Sequence, residues 1–264
     1  MNIFMRELKG NRRSLIIWGV IVILFVWVGV SKFSAYYNNP EMLAILDAMP
    51  PALVAAFSFE SFNLTTVSGF FGLMFSYFAL LLSIAAAMWG SDIISKEERD
   101  KTVEFSLTLP VTRSRVVTAK ALAALVNCIG LLLITWGISL VSAQRYQPDG
   151  EFYSFLALQM LALFIMQMIF LAVGIFLGCA MRRYKRAGAV AVSLLLGTYF
   201  LSVISALNKD LDWLKYFSPF KYFDAGMLLR ESRFDLLFVG LSLAIIVVCM
   251  AGAYFTYARR DLYI

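Results

Sequence analysis

The 264-residue sequence contains no histidine, and this absence excludes several kinds of catalytic site. A Ser-His-Asp triad, a Cys-His nucleophile pair and an HExxH zinc site all require a histidine. No glycine is followed directly by a lysine, so the Gly-Lys pair of a phosphate-binding P-loop is also missing. The sequence therefore does not predict nucleotide hydrolysis by this chain.

Charged residues are scarce as well. They make up 15% of the chain, against about 25% in soluble domains, whereas hydrophobic residues reach 61%. A soluble fold of this length would expose too much apolar surface, so the composition predicts a membrane protein. Cys128, Cys179 and Cys249 lie in apolar stretches and form no disulfide or metal-binding pattern. The net charge of +6 is typical of the flanks of membrane spans and does not predict nucleic-acid binding.

Six apolar segments without an ionisable side chain each approach or exceed the roughly 20 residues that cross a bilayer. They predict an all-α polytopic membrane protein with six transmembrane helices. The predicted spans are Leu15–Ser31, Gly69–Ser91, Ala121–Ala143, Phe152–Met181, Ala187–Leu207 and Leu236–Ala258.

Sixteen lysines and arginines lie before span 1, after spans 2 and 4 and after span 6, against seven on the other side, five of which lie between spans 5 and 6 beside acidic residues that balance them. The positive-inside rule therefore predicts that both termini are cytoplasmic. Apolar side chains at positions 1, 4, 5 and 8, with charged ones at positions 6, 7 and 9, predict a short amphipathic helix in the membrane interface before span 1. A basic flank that only orients the span is the alternative.

The segment between spans 2 and 3 carries signals for two helices. Ser95 followed by Glu98 forms a capping box that predicts a helix start, and Pro110 predicts its end. Thr112 or Ser114 can then cap a helix that runs into span 3. Residues 95–113 are thus predicted to be a cytoplasmic helix, break and helix. This unit is either a docking surface for a soluble partner or an ordinary solvated connection.

The same segment resembles the membrane subunits of type-2 ABC exporters, which are permeases that pair with a separate ATPase chain. That family carries a pattern close to E-x-x-x-G-T-x-E-x-x-L-x-x-P-V-x-R, followed by a lysine at the start of span 3. The matching residues here are Glu98, Lys101-Thr102, Glu104, Leu107, Pro110-Val111, Arg113 and Lys120, with Lys101 in place of the family's glycine. The N-terminal Phe4–Leu8, the outer segment Ser218–Phe223 and the C-terminal Arg259–Leu262 are also similar to the family.

The resemblance implies that residues 1–264 form one permease domain, with a coupling helix at about residues 97–109 that contacts the ATPase. The residues implied in coupling are Glu97, Glu98, Arg99, Lys101, Thr102, Glu104, Phe105, Leu107, Pro110 and Arg113. It also implies a homodimer of permeases in the plasma or inner membrane and two ATPase copies, which would bind ATP and Mg. No cofactor is expected in this chain. The basic residues between 182 and 186 are a second contact candidate or, as the favoured alternative, anchors for topology.

The predicted spans contain no acidic or basic residue, which argues against an ion-driven transporter and favours hydrophobic or amphipathic cargo. Aromatic and methionine side chains could line its pathway, although each could instead face the core or the lipid. The candidates are Phe71, Met74, Phe75, Tyr77 and Tyr199.

Small residues recur every fourth position in three spans and predict close helix contacts, within one subunit or in a dimer. They are Ala79, Ser83 and Ala87 in span 2, Gly174 and Gly178 in span 4, and Ser193 and Gly197 in span 5.

We therefore predict the permease subunit of an ATP-driven exporter for a peptide toxin, an antimicrobial peptide or a lipid-like antibiotic. A membrane scaffold that docks a soluble partner through residues 95–113 is the alternative. An intramembrane enzyme is disfavoured because the spans offer no acid–base group.

Overall fold

The computed structural model describes residues 3–39, 62–99, 112–181 and 184–259, and these residues are almost entirely helical. Three 3-10 helices, Gln144–Tyr146, Lys209–Phe217 and Pro219–Lys221, lie between the longer elements. The α-helices are α1 (Ile3–Phe33), α2 (Val67–Arg99), α3 (Arg113–Ala143), α4 (Gly150–Ala180), α5 (Tyr184–Leu207), α6 (Ala225–Glu231) and α7 (Leu236–Arg259).

Six of these helices are long and apolar enough to cross a membrane, which confirms the predicted number of spans. They are α1 to α5 and α7, and α6 is a short helix between the last two. At 1.5 Å per residue, the 33 residues of α2 extend over about 50 Å, well beyond a hydrocarbon core of about 30 Å. The helix therefore continues outside the predicted apolar span.

The first helix differs from the sequence prediction. Residues 3–14 are helical, but they continue without a break into the first span as part of α1. The side chain of Met5 is exposed, whereas Glu7 and Asn11, one turn apart, are buried. Glu7 thus faces the bundle, where it meets a cation, while Met5 and Lys9 are exposed and Phe4 packs against the core.

The predicted helix start at Ser95 is wrong. Ser95 lies inside α2, and its hydroxyl donates to the carbonyl oxygen of Ser91 at 2.8 Å. The hydroxyl is satisfied one turn back along the same helix, so it does not cap a new one. The predicted cap at Thr112 is confirmed, because its hydroxyl oxygen accepts from the backbone N–H of Arg115 at the start of α3.

The centre of the bundle is the contact between α2 and α4. A Cβ added at Gly174 would lie 2.4 Å from the carbonyl oxygen of Ala87, and one added at Gly90 would lie 2.5 Å from that of Leu171. A Cβ added at Gly178 would lie 3.0 Å from the carbonyl oxygen of Ser91. The two backbones touch only because these positions carry no side chain.

The three stripes of small residues have different surroundings. The stripe of α2 (Ala79, Ser83, Ala87) is buried, and that of α4 packs against α2. Both therefore serve packing within one chain. In α5, by contrast, Ser193 and Gly197 are exposed, and a Cβ at Gly197 would meet no described atom within 4 Å.

The segment between α5 and α7 folds over one end of the bundle. Ser218 is fully buried there, and its hydroxyl donates to the carbonyl oxygen of Thr198 in α5 at 2.7 Å. The Tyr222 hydroxyl donates to the carbonyl oxygen of Tyr216 at 2.6 Å, and its ring stacks on Phe238 of α7. These contacts tie the 3-10 helices to both neighbouring spans.

We expect Gly174→Ala to lower the free energy of unfolding by about 1–3 kcal/mol, because the added methyl group overlaps a backbone carbonyl and forces α2 and α4 apart. Unfolding in mixed micelles with increasing dodecyl sulfate measures this change. The matched control is Gly137→Ala in α3, where an added Cβ meets no described atom within 4 Å. The control should unfold like wild type or slightly later. Equal destabilisation by both variants would contradict a central contact between α2 and α4.

Candidate functional site

Four of the ten predicted coupling residues are described, and they lie at one end of the bundle, where α1 begins, α2 ends, α3 begins and α7 ends. We call this the N-terminal end. Glu97, Glu98 and Arg99 belong to the last turn of α2, and Arg113 is the first residue of α3. The others lie outside the described residues, namely Lys101, Thr102, Glu104, Phe105, Leu107 and Pro110. The site is therefore described through the two helix ends that flank residues 100–111, namely the end of α2 and the start of α3.

Arg113 joins the start of α3 to the end of α7. Its guanidinium donates to the carbonyl oxygens of Tyr257 and Ala258 at 3.3 and 3.2 Å. These carbonyls belong to the last described turn of α7, near the negative end of the helix dipole, where a cation is favourable. One turn further into the bundle, the hydroxyls of Thr118 and Tyr254 are hydrogen-bonded at 2.8 Å. Two polar contacts thus fix the first turns of α3 against α7.

Glu7 joins α1 to the end of α2. Its carboxylate is buried and lies 3.7 Å from the ammonium of Lys96 and 3.5 Å from the guanidinium of Arg6. Lys96 reaches this position across Gly10, since a Cβ there would be 2.7 Å from its Nζ. A buried carboxylate is costly without a cation beside it, so the ion pair with Lys96 holds the two helices in register.

Lys120 joins α3 to α2. Its side chain is 1% exposed, and its ammonium donates to the carbonyl oxygen of Ile93 at 2.7 Å. A buried ammonium needs such acceptors because it has lost its hydration shell. The contact reaches from the second turn of α3 to the last two turns of α2. Lys120 therefore clamps together the two helices that flank residues 100–111.

These contacts form one polar joint, which we define as Glu7, Lys96, Lys120 and Arg113 with their partners. It ties α1, α2, α3 and α7 together at the N-terminal end. The motif identifies Lys120 and Arg113 in the sequence, whereas no local pattern predicts the pairing of Glu7 with Lys96. Glu7 and Asn11 do lie one helical turn apart on the face opposite Met5, and this spacing was the sequence signal that could have indicated a buried polar face.

The predicted pathway residues lie toward the opposite end of the bundle, in two environments. Phe75, Tyr77 and Tyr199 line one small cavity of about 70 Å³ between α2, α5 and the segment before α6. Phe71 is instead packed in the core, with its ring 5.3 Å from that of Phe152. Met74 is buried against α1, where its sulfur would lie 3.2 Å from a Cβ at Gly29.

A larger cleft of about 550 Å³ lies between α1, α2 and α5, near the polar joint. Its lining residues come from three helices and share no motif, so no pattern in the sequence predicts the cleft, although Ser95 belongs to the predicted capping box. Of the second basic cluster, Arg182 and Arg183 lie outside the described residues, and Arg186 is exposed in the first turn of α5. The cluster therefore adds no described contact to the joint.

The sequence matches a family model described as "ABC-2 family transporter protein" over residues 1–262. The match includes all six membrane-crossing helices as well as residues 100–111. No curated protein matches the chain.

We expect Lys96→Met to lower the free energy of unfolding by about 1–3 kcal/mol, because the buried carboxylate of Glu7 loses its cation from α2 and keeps only the guanidinium of Arg6. The double variant Glu7→Gln/Lys96→Met should recover most of that loss. Unfolding of the two single variants and the double variant, in the same mixed micelles, measures the coupling between the two residues.

The matched control is Lys215→Met, which breaks the exposed ion pair of Lys215 with Asp212. It should have no measurable effect, since exposed pairs contribute little. Additive effects of the Glu7 and Lys96 substitutions would show that the two side chains do not interact.

Proposed function

The chain belongs to the ABC-2 family of transporter proteins, and from this premise we propose that it is the permease subunit of an ATP-driven exporter of amphipathic cargo. Membership of this family supports the role of a membrane transport subunit that is not itself catalytic and that works with an ATPase. In this proposal, two ATPase copies bind ATP and Mg and hydrolyse the nucleotide. The permease converts their movement into a change of packing among its helices.

The observation that carries this proposal is the course of α2. The helix runs unbroken from the core contact with α4 to the polar joint and reaches Arg99 at the edge of residues 100–111. A continuous helix transmits an axial push or a tilt over its whole length, whereas a jointed one absorbs it. A force applied to residues 100–111 would thus reach the middle of the bundle through α2, with α3 clamped beside it by Lys120.

The N-terminal end is the end that we propose to be cytoplasmic, because most lysines and arginines of the sequence fall there. On this orientation, Glu97, Glu98 and Arg99 begin the segment that the ATPase contacts. Glu104 and Phe105 continue it. Arg113 supports its far side from α3, since its guanidinium is held by α7.

We also propose that the permease is a homodimer and that α5 lies in its interface. Only about a fifth of the apolar stretch of α5 is buried, against two thirds for α2. Its exposed face carries Ser193 and Gly197 one turn apart, with open space beside Gly197. Small residues at this spacing let two helices approach closely in lipid.

The exporter proposal predicts that Glu98→Ala/Glu104→Ala will lower cargo-stimulated ATP hydrolysis at least tenfold, because it removes two charges from the proposed ATPase contact. The permease is co-purified with an ABC ATPase subunit encoded beside it where one is found, and turnover is measured with and without a cationic amphipathic peptide. The matched control is Glu151→Ala/Glu231→Ala, which removes two glutamates from the opposite end of the bundle.

The control should keep both the complex and its stimulation by the peptide. A wild-type permease that captures no ATPase would favour the alternative of a scaffold. Equal turnover in the two double variants would exclude coupling through residues 97–109.

The dimer proposal predicts that Gly197→Leu will shift the permease from dimer to monomer, because the added side chain fills the space in which the second α5 would pack. Mass photometry in nanodiscs measures the ratio of the two species. Gly240→Leu on α7 is the matched control, since that glycine is also exposed and has no described atom near its Cβ position. A dimer that survives Gly197→Leu would exclude this face of α5.

A further inference from the structure

The large cleft between α1, α2 and α5 opens toward the membrane. Its volume is about 550 Å³, and pockets for small molecules usually measure about 300–1,000 Å³. Its lining includes Met88 of α2 and Ala189 of α5, and both residues are exposed. All three of its helices are long and apolar enough to cross a bilayer, so the molecules beside this opening are lipids.

The lining changes from polar to apolar along the bundle. On α1, Ser14 lies nearer the N-terminal end of the bundle, and Trp18 lies one turn closer to the middle. On α2, Ser95 lies nearer that end, and Met88 lies two turns closer to the middle. A phospholipid in the leaflet at this end has the same order, with its polar head group outermost and its apolar chains toward the bilayer centre.

The aromatic wall of the cleft is held in place. The Trp89 indole N–H donates to the hydroxyl oxygen of Ser14 at 2.8 Å, and the Trp89 side chain is 4% exposed. Trp18 is half-buried beside it. Tryptophan rings offer a large and rigid apolar surface to an alkyl chain. The cleft is therefore a preformed groove in which a chain is bound without reorganising the protein.

Arg186 supplies a positive charge at the mouth of the cleft. It lies one turn before Ala189 on α5, so the two side chains share a face of the helix. Its side chain is exposed, and it makes no hydrogen bond or ion pair with any residue that the structure describes. Helical side chains tilt toward the helix N-terminus, which directs this guanidinium away from the apolar stretch and toward the head groups. The fork of a guanidinium matches two oxygens of a phosphate.

The other charges near the cleft leave this guanidinium available. Asp92 also lines the cleft, but it is already engaged in another interaction of the protein, so no contact with a lipid is assigned to it. Lys96 is paired with Glu7 in the polar joint. Arg13, next to Ser14 on α1, is exposed and adds a second positive charge at the same depth. Basic clefts between membrane spans favour lipids with negatively charged head groups.

We propose that this cleft binds one anionic phospholipid from the leaflet at the N-terminal end. One acyl chain lies against Trp18 and Met88, and the phosphate is bound by Arg186. The lipid is a resident ligand and not cargo, so the site does not depend on the proposed export function. Because the cleft lies within one chain, binding requires neither the ATPase nor a second permease.

Native mass spectrometry of the full-length permease, released from detergent micelles, tests this binding. The protein is titrated with phosphatidylglycerol and with phosphatidylcholine that carries the same acyl chains. We expect the first phosphatidylglycerol to bind with a Kd about tenfold below that of phosphatidylcholine. Equal Kd values for the two lipids would overturn the proposal, and this comparison requires no variant.

Two arginine variants distinguish the site from general attraction to a basic surface. Arg186→Gln should raise the Kd of phosphatidylglycerol about tenfold and leave that of phosphatidylcholine unchanged. The matched control is Arg12→Gln, which removes an exposed guanidinium at the same end but from the side of α1 that faces away from Ser14. The control should keep the preference for phosphatidylglycerol. An equal loss of preference in both variants would exclude Arg186 as the phosphate ligand.

A second pair of variants tests the position of the chain. Ala189→Trp fills the cleft from α5 and should weaken binding of the first molecule of either lipid at least tenfold. The matched control is Val190→Trp at the next residue, which is exposed but does not line the cleft. The control should bind both lipids like wild type. Wild-type affinity in Ala189→Trp would place the lipid outside the cleft and overturn the proposal.

Discussion

The close approach of α2 and α4 is the constraint on which the rest of the structure depends. Lipid chains are as apolar as leucine, so membrane helices gain little from hydrophobic burial and associate through tight packing and polar contacts. Gly90 and Gly174 allow two backbones to touch. About two thirds of the apolar stretches of these helices is buried, against about a fifth for α1 and α5, so the other spans are arranged around this pair.

The distribution of charge follows from the same solvent. Ionisable groups are costly in the hydrocarbon, and the ion pair and clamps of the polar joint lie where α1 and α3 begin and α2 and α7 end. Buried Glu7 and Lys120 carry charges that only a partner can stabilise. Because Glu7 is paired with Lys96 from α2, and Lys120 reaches a carbonyl of α2, the charges that are costly to bury also determine how the helices align.

The number of spans could be predicted from the sequence, because a run of apolar residues without charges has few alternatives to crossing a membrane. The cap at Thr112 was predictable for a similar local reason. The helix start at Ser95 was wrong, because a serine can also bond back to its own helix, and the sequence does not distinguish the two uses. The pairing of Glu7 with Lys96 and the cleft beside Trp89 depend on how distant helices pack, which no local pattern contains.

The two kinds of helix contact also determine which parts of the bundle can move. If α2 slid along α4, residues with side chains would replace Gly174 opposite a backbone carbonyl and clash with it. The two helices are therefore held as one unit. The spans α1 and α5 flank a cleft of about 550 Å³ beside α2, although α1 also packs along α3 and α5 along α2. Because the polar joint fixes α1 to the end of α2 through Glu7, a tilt of α1 about that joint would change the width of the cleft.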